Sequence, residues 1–187
     1  MKYVEKLTNN VWKIKADSNV YILLEEKIVI DTGNRAFRNI LQTFMNKIIS
    51  FDKVEKVFFT HLHYDHIGNF DLFTNAKFYA SEDAINSLKE NKIDTIMNKD
   101  IAEKFNIELN KLESFENFKI IKTPGHTKGS ICILYKKDNI LFSGDTLFYN
   151  KKLGRIDLPT SVPNKFQETL NNLTKYNFKI LAPGHDY

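Results

Sequence analysis

The amino-acid sequence predicts a layered α/β fold, and three observations support this prediction. Short apolar or β-branched runs bounded by polar turns recur along the chain, as in a protein with many strands. Segments with apolar residues at helical spacing lie before, between and after these runs, which is typical of helices layered on sheets. The 187 residues are 42% hydrophobic and 27% charged, a balance typical of globular proteins, so we expect one domain spanning residues 1–187.

The first third of the chain is predicted to form a meander, a helix and a buried strand. Alternating or apolar segments predict the antiparallel strands of the meander, at residues 11–15, 20–24 and 28–30. From Phe37 to Ile48, apolar residues recur at helical spacing and predict a helix with one apolar face. Residues 54–60 are then predicted to form a buried strand that leads directly to His61.

The rest of the chain is predicted to contain five more strands and further helices. These strands are predicted at residues 77–80, 118–121, 130–135, 140–143 and 178–181. Ser81 is a favourable N-cap, and the acidic residues after it suit the first turn of a helix. Val162-Pro163 precedes another predicted helix, over residues 164–175. The polar, interrupted stretch 91–114 is also predicted to be helical.

Charge and cysteine content exclude several classes of protein. The net charge of +4 comes from lysines scattered among carboxylates and asparagines, so we expect no nucleic-acid partner. Cys132 is the single cysteine, which excludes an internal disulfide, and its two isoleucine neighbours favour a buried, unreactive thiol. The first residues do not resemble a signal peptide, and no apolar run approaches the roughly 20 residues of a membrane span. We therefore expect a cytoplasmic protein with no membrane partner.

All five histidines occur in three short segments that also contain glycine or aspartate, which predicts a metal site. The segments are Thr60-His-Leu-His-Tyr-Asp-His66, Thr123-Pro-Gly-His-Thr127 and Ala182-Pro-Gly-His-Asp186. His61 and His63 are two residues apart at the end of a predicted strand, so both imidazoles can reach one ion. Asp65 and His66 follow where the alternation breaks, so we expect them to face a second ion.

Three further candidate ligands follow other predicted strands. Each is the residue directly after a glycine, and that glycine follows a predicted strand. They are His126, Asp145 and His185. Together with residues 61–66 they make seven candidate ligands, which we expect to converge on one rim of a sheet. A single histidine or a Pro-Gly turn is usually structural. Three imidazoles and a carboxylate buried together without metal, however, would leave costly unsatisfied polar groups.

The order of these motifs resembles that of the metallo-β-lactamase fold over essentially the whole chain. The motifs are Asp31-Thr-Gly33, His61-Leu-His-Tyr-Asp-His66, Pro124-Gly-His126, Gly144-Asp145 and Pro183-Gly-His185. The resemblance implies an αββα sandwich with a dinuclear metal site at one edge of the sheets. It assigns His61, His63 and His126 to the first ion, Asp65, His66 and His185 to the second, Asp145 to a bridge, and Asp31 to hydrogen bonds that fix a ligand.

Three further sequence segments resemble those of the glyoxalase II-like branch of this fold, whose members hydrolyse hydroxyacylglutathione thioesters. They are residues 123–130, 143–148 and 154–157. The implied mechanism is attack on a thioester carbonyl by a hydroxide that two divalent ions generate, with Asp65 and Asp145 at the catalytic centre. Zinc is the expected metal, with iron or manganese as alternatives. The chain ends two residues after His185, so we expect no C-terminal substrate-binding domain, and the thiol carrier stays open.

A small molecule is the expected partner. Tyr64, Lys151 and Arg155 are candidate substrate-binding residues, and the positive charges of Lys151, Lys152 and Arg155 would attract an anionic substrate. Arg155 has an alternative role, which is a structural salt bridge with Asp157. The acyl group and the oligomeric state are left open by the sequence.

Other functions are compatible with the same motifs. Sulfur dioxygenases share them, and a resemblance to that group implies one iron held by His61, His126 and Asp145, with a persulfide as substrate. The dioxygenase is the first alternative, and a lactone or ester hydrolase of the same fold is a further one. Imidazole and carboxylate ligands suit zinc and iron alike, so the residue types do not distinguish the metals. A non-enzymatic metal-binding module is the remaining class, and the complete ligand set argues against it.

Overall fold

Two β-sheets that pack face to face form the middle of the computed structural model, which describes residues 3–187. The first sheet contains, in spatial order, β1 (Val4–Lys6), β2 (Val11–Ala16), β3 (Ser18–Leu23), β4 (Ile28–Ile30), β5 (Lys56–Phe58), β6 (Lys77–Ala80) and β7 (Leu109–Lys111). The second contains β11 (Ile180–Pro183), β10 (Ile140–Gly144), β9 (Ile131–Tyr135) and β8 (Phe118–Lys122). The antiparallel meander predicted for the first strands is confirmed, because β2, β3 and β4 pair in this way.

Parallel pairing begins where the meander ends. β4, β5, β6 and β7 are parallel neighbours, and in the second sheet β11 is parallel to β10. The carboxyl ends of parallel strands meet at one edge of a sheet, and polar side chains that follow these strands are therefore brought together there. In the first sheet this edge therefore receives the segment after β5, and in the second sheet it receives the segments after β10 and β11.

Helices cover the outer faces of the two sheets. They are α1 (Arg38–Met45), α2 (Tyr64–Ile67), α3 (Glu82–Glu90), α4 (Lys92–Ile96), α5 (Lys99–Lys104) and α6 (Pro163–Leu173). Four short 3-10 helices lie at Arg35–Phe37, Phe51–Lys53, Phe70–Leu72 and Tyr149–Lys151. The predicted N-cap is confirmed, since the Ser81 hydroxyl accepts a hydrogen bond from the Ala84 amide at 3.1 Å.

Some predicted elements differ from those in the structure. Residues 91–114 were predicted to be helical throughout, yet after α4 and α5 the chain forms β7 beside β6. This strand depends on a partner that is distant in sequence, so local pattern does not reveal it. The predicted strand 54–60 is regular only over β5, because from residue 59 onward the chain turns towards the edge of the sheet. The helix predicted over residues 37–48 is shorter in the structure. A 3-10 turn precedes it, and the α-helix ends at Met45.

The core has three parts, which define the layers. On β3, Val20 and Ile22 face the helices of the first layer, and Tyr21 and Leu23 face the second sheet. A third cluster, which includes Cys132 of β9, packs below α6. Burying each large apolar side chain contributes about 1.5–3 kcal/mol. The order helix, sheet, sheet, helix confirms the predicted αββα sandwich.

No helix within residues 3–187 has both the length and the apolar character that crossing a membrane requires.

Candidate metal centre

The predicted ligands lie at the edge where the two sheets meet. His61, His63, Asp65 and His66 follow β5 of the first sheet, in the segment that enters α2. The others follow strands of the second sheet, with His126 after β8, Asp145 after β10 and His185 after β11. We predicted one rim of a single sheet, and that detail was wrong. Both sheets contribute, because the strands converge where the sandwich opens.

Three imidazole nitrogens form a first cluster. His63 Nδ1 lies 3.1 Å from His61 Nε2 and 3.0 Å from His126 Nε2. Ligand atoms 2.0–2.1 Å from a tetrahedral zinc ion would be about 3.4 Å apart. The observed separations are slightly shorter than this spacing, and the three side chains are buried. The cluster therefore has the donor type and the approximate size of a site for one divalent cation.

A second cluster consists of Asp65, His66 and His185. Asp65 Oδ2 lies 3.2 Å from His185 Nε2 and 3.7 Å from His66 Nε2. Asp65 and His66 belong to α2, whereas the sequence indicated only a turn there. In this helix Asp65 and His66 lie beside His185, but the His66 ring is also 4.1 Å from the ring of His61, so the two clusters adjoin. That Asp65 and His66 face a different ion stays a prediction.

Asp145 joins the two clusters. Its Oδ1 lies 3.2 Å from His66 Nε2, and its Oδ2 lies 3.6 Å from His126 Nε2 and 3.5 Å from His185 Nε2. One carboxylate therefore contacts histidines of both groups. This is the position that a bridging ligand requires.

Three buried atoms of the candidate ligands have no hydrogen bond within residues 3–187, namely His63 Nε2, His66 Nε2 and Asp145 Oδ1. The last two lie 3.2 Å apart without the geometry of a hydrogen bond. Buried polar atoms are rarely left unpaired, because the loss of their hydration is costly. A cation between the two atoms would satisfy both, so the donor set fits a metal.

Asp31 determines which nitrogen of His66 faces the cluster. His66 Nδ1 donates a hydrogen bond to Asp31 Oδ2 at 2.8 Å, and a carboxylate can only accept. In the neutral form of the ring, which is the form that binds metal, the Nε2 lone pair is therefore directed at the centre. Asp31 is itself held by the amide and hydroxyl of Thr60, at 2.8 and 2.7 Å. Its φ of 57° is unusual for a residue with a side chain, and such backbone conformations concentrate at functional sites.

The backbone of Arg155 has the corresponding role for His126. His126 Nδ1 donates to the Arg155 carbonyl oxygen at 2.7 Å, which leaves the Nε2 lone pair directed at the first cluster. The Arg155 guanidinium makes two hydrogen bonds of 3.0 Å to Asp157, and its side chain is 70% exposed. The alternative prediction for this residue, a salt bridge, is thus present. Sequence reasoning missed the carbonyl contact, because a backbone oxygen leaves no signature in residue type.

Burial keeps the first cluster neutral. Loss of hydration lowers the pKa of His61 well below its usual value and that of His63 to about 3, and the neighbouring imidazoles add to the effect. The pKa of His126 is also lowered, mainly by burial. A neutral imidazole is the form that binds metal.

The second cluster favours a positive charge. Burial alone would lower the pKa of His66, but the carboxylates of Asp145 and Asp65, and then Asp31, outweigh it and raise this pKa well above the usual value. Burial would raise the pKa of Asp65 and of Asp145, yet the surrounding imidazoles, His66 first, lower both. The carboxylates therefore stay ionised, and a proton or a metal ion can balance their charge.

Close packing requires glycine at two places beside the centre. A side chain on Gly184 would overlap the carboxylate of Asp145 and press on the imidazole of His66. Gly144 has a φ of 49°, and a side chain there would overlap Thr60. These glycines let the segments that carry Asp145 and His185 approach α2.

The candidate substrate-binding residues lie around the centre. Tyr64 begins α2 and lines a cavity of 280 Å³ together with Asn34 and residues of α5. Lys151 is exposed in the 3-10 helix that follows Asp145. Their contact with a substrate, like that of Arg155, stays a prediction. A larger groove of 850 Å³ lies between β8 and α6 and contains none of the candidate ligands.

Polar residues of β2 and β3 that sequence reasoning missed contact the segment after β11. Lys13 occupies a polar position of the alternating strand, and such positions usually face solvent, yet its side chain is buried. It pairs with Asp186, next to His185. Asn19 also binds this segment. The lysines of β2, together with an acid beside a candidate ligand, are the only signal in the sequence that pointed to such a pair.

Known proteins share this architecture and its motifs. A profile of the Metallo-beta-lactamase superfamily matches residues 16–185. A probable metallo-hydrolase of Methanocaldococcus jannaschii is 31% identical over 185 residues, which cover 90% of this chain and 87% of that protein. A hydroxyacylglutathione hydrolase of Francisella tularensis subsp. novicida is 30% identical over 140 residues, which cover 72% of this chain and 50% of the relative. The chain thus spans half the length of that enzyme.

A solved structure supports the fold independently. A protein crystallised in a di-iron-bound form has a TM-score of 0.70 against this chain at 20% identity, covering 92% of this chain and 89% of the other. A likeness at this identity concerns the fold alone.

Proposed function

The chain belongs to the metallo-β-lactamase superfamily, and from this premise we propose that it is a metal-dependent hydrolase of small thioesters. One observation carries the proposal, namely that Asp145 lies between two adjoining groups of buried ligand atoms. A centre for two cations side by side suits hydrolysis, because it can act on both the attacking and the leaving atoms.

The ligand assignment follows the two clusters. We propose that His61, His63 and His126 hold one ion, that Asp65, His66 and His185 hold the other, and that Asp145 is shared. Zinc is the proposed metal, and iron and manganese are the alternatives, since imidazole and carboxylate donors suit all three.

The chain's own groups prepare the reaction. Bound divalent cations would supply Lewis acidity towards a carbonyl oxygen and lower the pKa of water from 15.7 to about 7. Asp31 holds His66 in one tautomer, and the Arg155 carbonyl does the same for His126. The carboxylates of Asp65 and Asp145 stay ionised among imidazoles, which is the form that binds a metal ion at the catalytic centre.

A protein nucleophile is not part of the proposal. Cys132 lies on β9, on the face of the second sheet that α6 covers, and it is fully buried there. This burial raises the pKa of its thiol to about 12. The thiolate is the reactive form of cysteine, so this side chain is unsuited to covalent catalysis.

The substrate class is inferred from the relatives and from the motifs. The relative named hydroxyacylglutathione hydrolase matches 72% of this chain, and a thioester is therefore the first substrate class to test. Since the chain spans half of that enzyme, the thiol carrier is a separate question. We propose that Tyr64, Lys151 and Arg155 contact an anionic part of a small-molecule substrate. A cytoplasmic location remains a prediction.

The decisive experiment measures hydrolysis by protein loaded separately with zinc, iron or manganese, followed as thiol release for the thioesters and as acid release for the other substrates. The panel contains a hydroxyacylglutathione, an acyl-coenzyme A, a short acyl thioester, a lactone and a phosphodiester. We expect thioester hydrolysis that His61→Ala and Asp145→Ala abolish together with metal binding. Full activity in a variant that has lost its metal would overturn the proposal.

The same preparations distinguish the alternatives. Oxygen uptake with glutathione persulfide by iron-loaded protein, without thioester hydrolysis, would assign a dioxygenase instead. Hydrolysis of the lactone alone would assign a lactonase. Full metal loading without turnover in any assay would assign a metal-binding module.

A further inference from the structure

The segment that carries His185 is held in place by polar residues of the β2–β3 hairpin. We propose that Lys13 and Asp186 are positioning residues, which hold the His185 imidazole against Asp65 and Asp145. Residues 183–187 are called the C-terminal turn below. The inference rests on the proposed role of His185 as a metal ligand, and it adds residues to which the ligand motifs do not point.

Lys13 is a buried cation with two acidic partners. Its side chain is 3% exposed, and its ammonium lies 2.9 Å from Glu5 Oε2. The same ammonium lies 3.2 and 3.3 Å from the two carboxylate oxygens of Asp186. A buried charge requires such partners, because removing one of them leaves the other without compensation. The pair therefore ties the C-terminal turn to the middle of β2.

Asp186 has two further partners on the hairpin. Asn19 Nδ2 donates to Asp186 Oδ1 at 2.8 Å, and Lys15 forms an ion pair with Asp186 Oδ2. The carboxylate is thus surrounded by donors from β2 and β3. Its side chain is 22% exposed, so these contacts are partly shielded from water.

The hairpin also holds the residues before His185. Asn19 donates to the Pro183 carbonyl from its side chain at 3.0 Å and to the Gly184 carbonyl from its backbone at 2.7 Å. The Tyr21 hydroxyl donates to the Pro183 carbonyl at 2.7 Å. His185 is therefore fixed from both sides through its backbone.

The His185 ring itself has few direct supports. His66 is oriented by Asp31 and His126 by the Arg155 carbonyl, but no hydrogen bond within the described residues reaches His185 Nδ1. The ring stacks on Tyr187, with centroids 5.1 Å apart and planes 5° from parallel. Tyr187 is 58% exposed and belongs to the same turn, and buried Phe148 packs on both rings from outside the turn. These ring contacts are apolar, so the polar contacts that fix the position of the imidazole are those of its backbone segment, among them the contacts of Lys13 and Asp186.

The first test uses NMR of the metal-free protein and does not depend on catalysis. The variants are Lys13→Met and Asp186→Asn, and the matched control is Glu5→Gln, which removes the other partner of Lys13. We expect about a tenfold faster amide exchange in the C-terminal turn and loss of the ring-current shift that Tyr187 imposes on the His185 ring protons. The signals of His126, whose ring packs on His61 and His63, should stay in place. Wild-type exchange and shifts in both variants would overturn the inference.

The second test is metal titration of the full chain by competition with a chelator. Substituting residues that orient a ligand typically weakens metal binding 10–100-fold. We expect such a loss for one of two ions in Asp186→Asn, with the other ion and the Glu5→Gln protein unchanged. Equal weakening at both sites, or a lower melting temperature without weakening, would mean a purely structural role. If the wild type cleaves no thioester, the proposed function fails, yet the NMR result still decides this inference.

Discussion

Asp31 Oδ2 accepts a hydrogen bond from His66 Nδ1 at 2.8 Å, and both side chains are buried. Asp31 lies at the end of β4, in a segment that contributes no ligand atom to the centre. The contact links the first sheet to α2 and directs the other nitrogen of the imidazole at the candidate metals. The orientation of the ligand is therefore determined outside the ligand motif.

Asp31→Asn should reverse the His66 tautomer. The new amide can keep the bond from Thr60 through its oxygen, and its NH2 group then donates to His66 Nδ1. The proton moves to Nε2, and the lone pair no longer faces the centre. We expect metal affinity to fall about 10–100-fold, with hydrolysis falling in parallel. Nitrogen-15 NMR of the histidine rings reports the tautomer, and an unchanged His66 spectrum would contradict the prediction.

Metal binding should stabilise the fold. The seven candidate ligands come from segments after strands of both sheets, so a bound ion joins segments that are far apart in the chain. At a free metal concentration about 1,000-fold above Kd, the linkage contributes about 4 kcal/mol. We expect the melting temperature of loaded protein to fall when a chelator is added. Asp145→Ala should lose most of this difference, and Glu55→Gln, at an exposed ion pair, should keep it. An equal melting temperature with and without metal would contradict the prediction.

Gly125→Ala should displace α6 from the turn that carries His126. A methyl group on Gly125 would overlap the ring of Phe166, which is buried in α6. Overpacking of this kind typically costs about 1–3 kcal/mol. Because the clash is with one ring, Phe166→Leu in the same chain should recover part of the loss. Chemical unfolding of the single and double variants measures the coupling, and strict additivity would argue against direct contact.

Asp71 should make stability depend on pH in the acid range. Partial burial raises the pKa of this carboxyl, but hydrogen bonds from Arg38 and Arg35 outweigh burial and hold the pKa below its usual value. The unfolded chain protonates Asp71 near pH 3.8, and the folded chain does so at lower pH. The contribution of the Asp71 carboxylate to the free energy of unfolding is therefore complete above pH 3.8, and it is lost as the pH falls through the pKa of the folded state.

Asp71→Asn measures that contribution. The pair is partly exposed and screened by solvent, so we expect a loss of about 0.5–1 kcal/mol at neutral pH. Urea unfolding should give a difference from wild type that shrinks at about pH 2. Asp52→Asn, whose carboxylate has no ion pair within residues 3–187, is the control. If the difference in free energy of unfolding between wild type and Asp71→Asn grew as the pH fell, the prediction would be contradicted.

Much of the candidate centre could be predicted from local spacing. His61 and His63 converge because they are two residues apart in an extended segment, and the glycine before Asp145 permits the approach that brings this carboxylate between the clusters. The chain order of the motifs indicated the family, and the family profile bears this out. The meander and the N-cap at Ser81 were also predictable, since both depend on neighbouring residues.

Residue types and their spacing thus determined by themselves which side chains could bind metal and which layers could form, because these properties are local. Only the tertiary structure decided that both sheets supply the centre, that the Arg155 carbonyl orients His126, and that Lys13 is buried against Asp186. Each of these facts depends on contacts between residues far apart in the chain. In particular, a backbone carbonyl is chemically the same in every residue, and a lysine in a strand is buried only if a distant acid meets it.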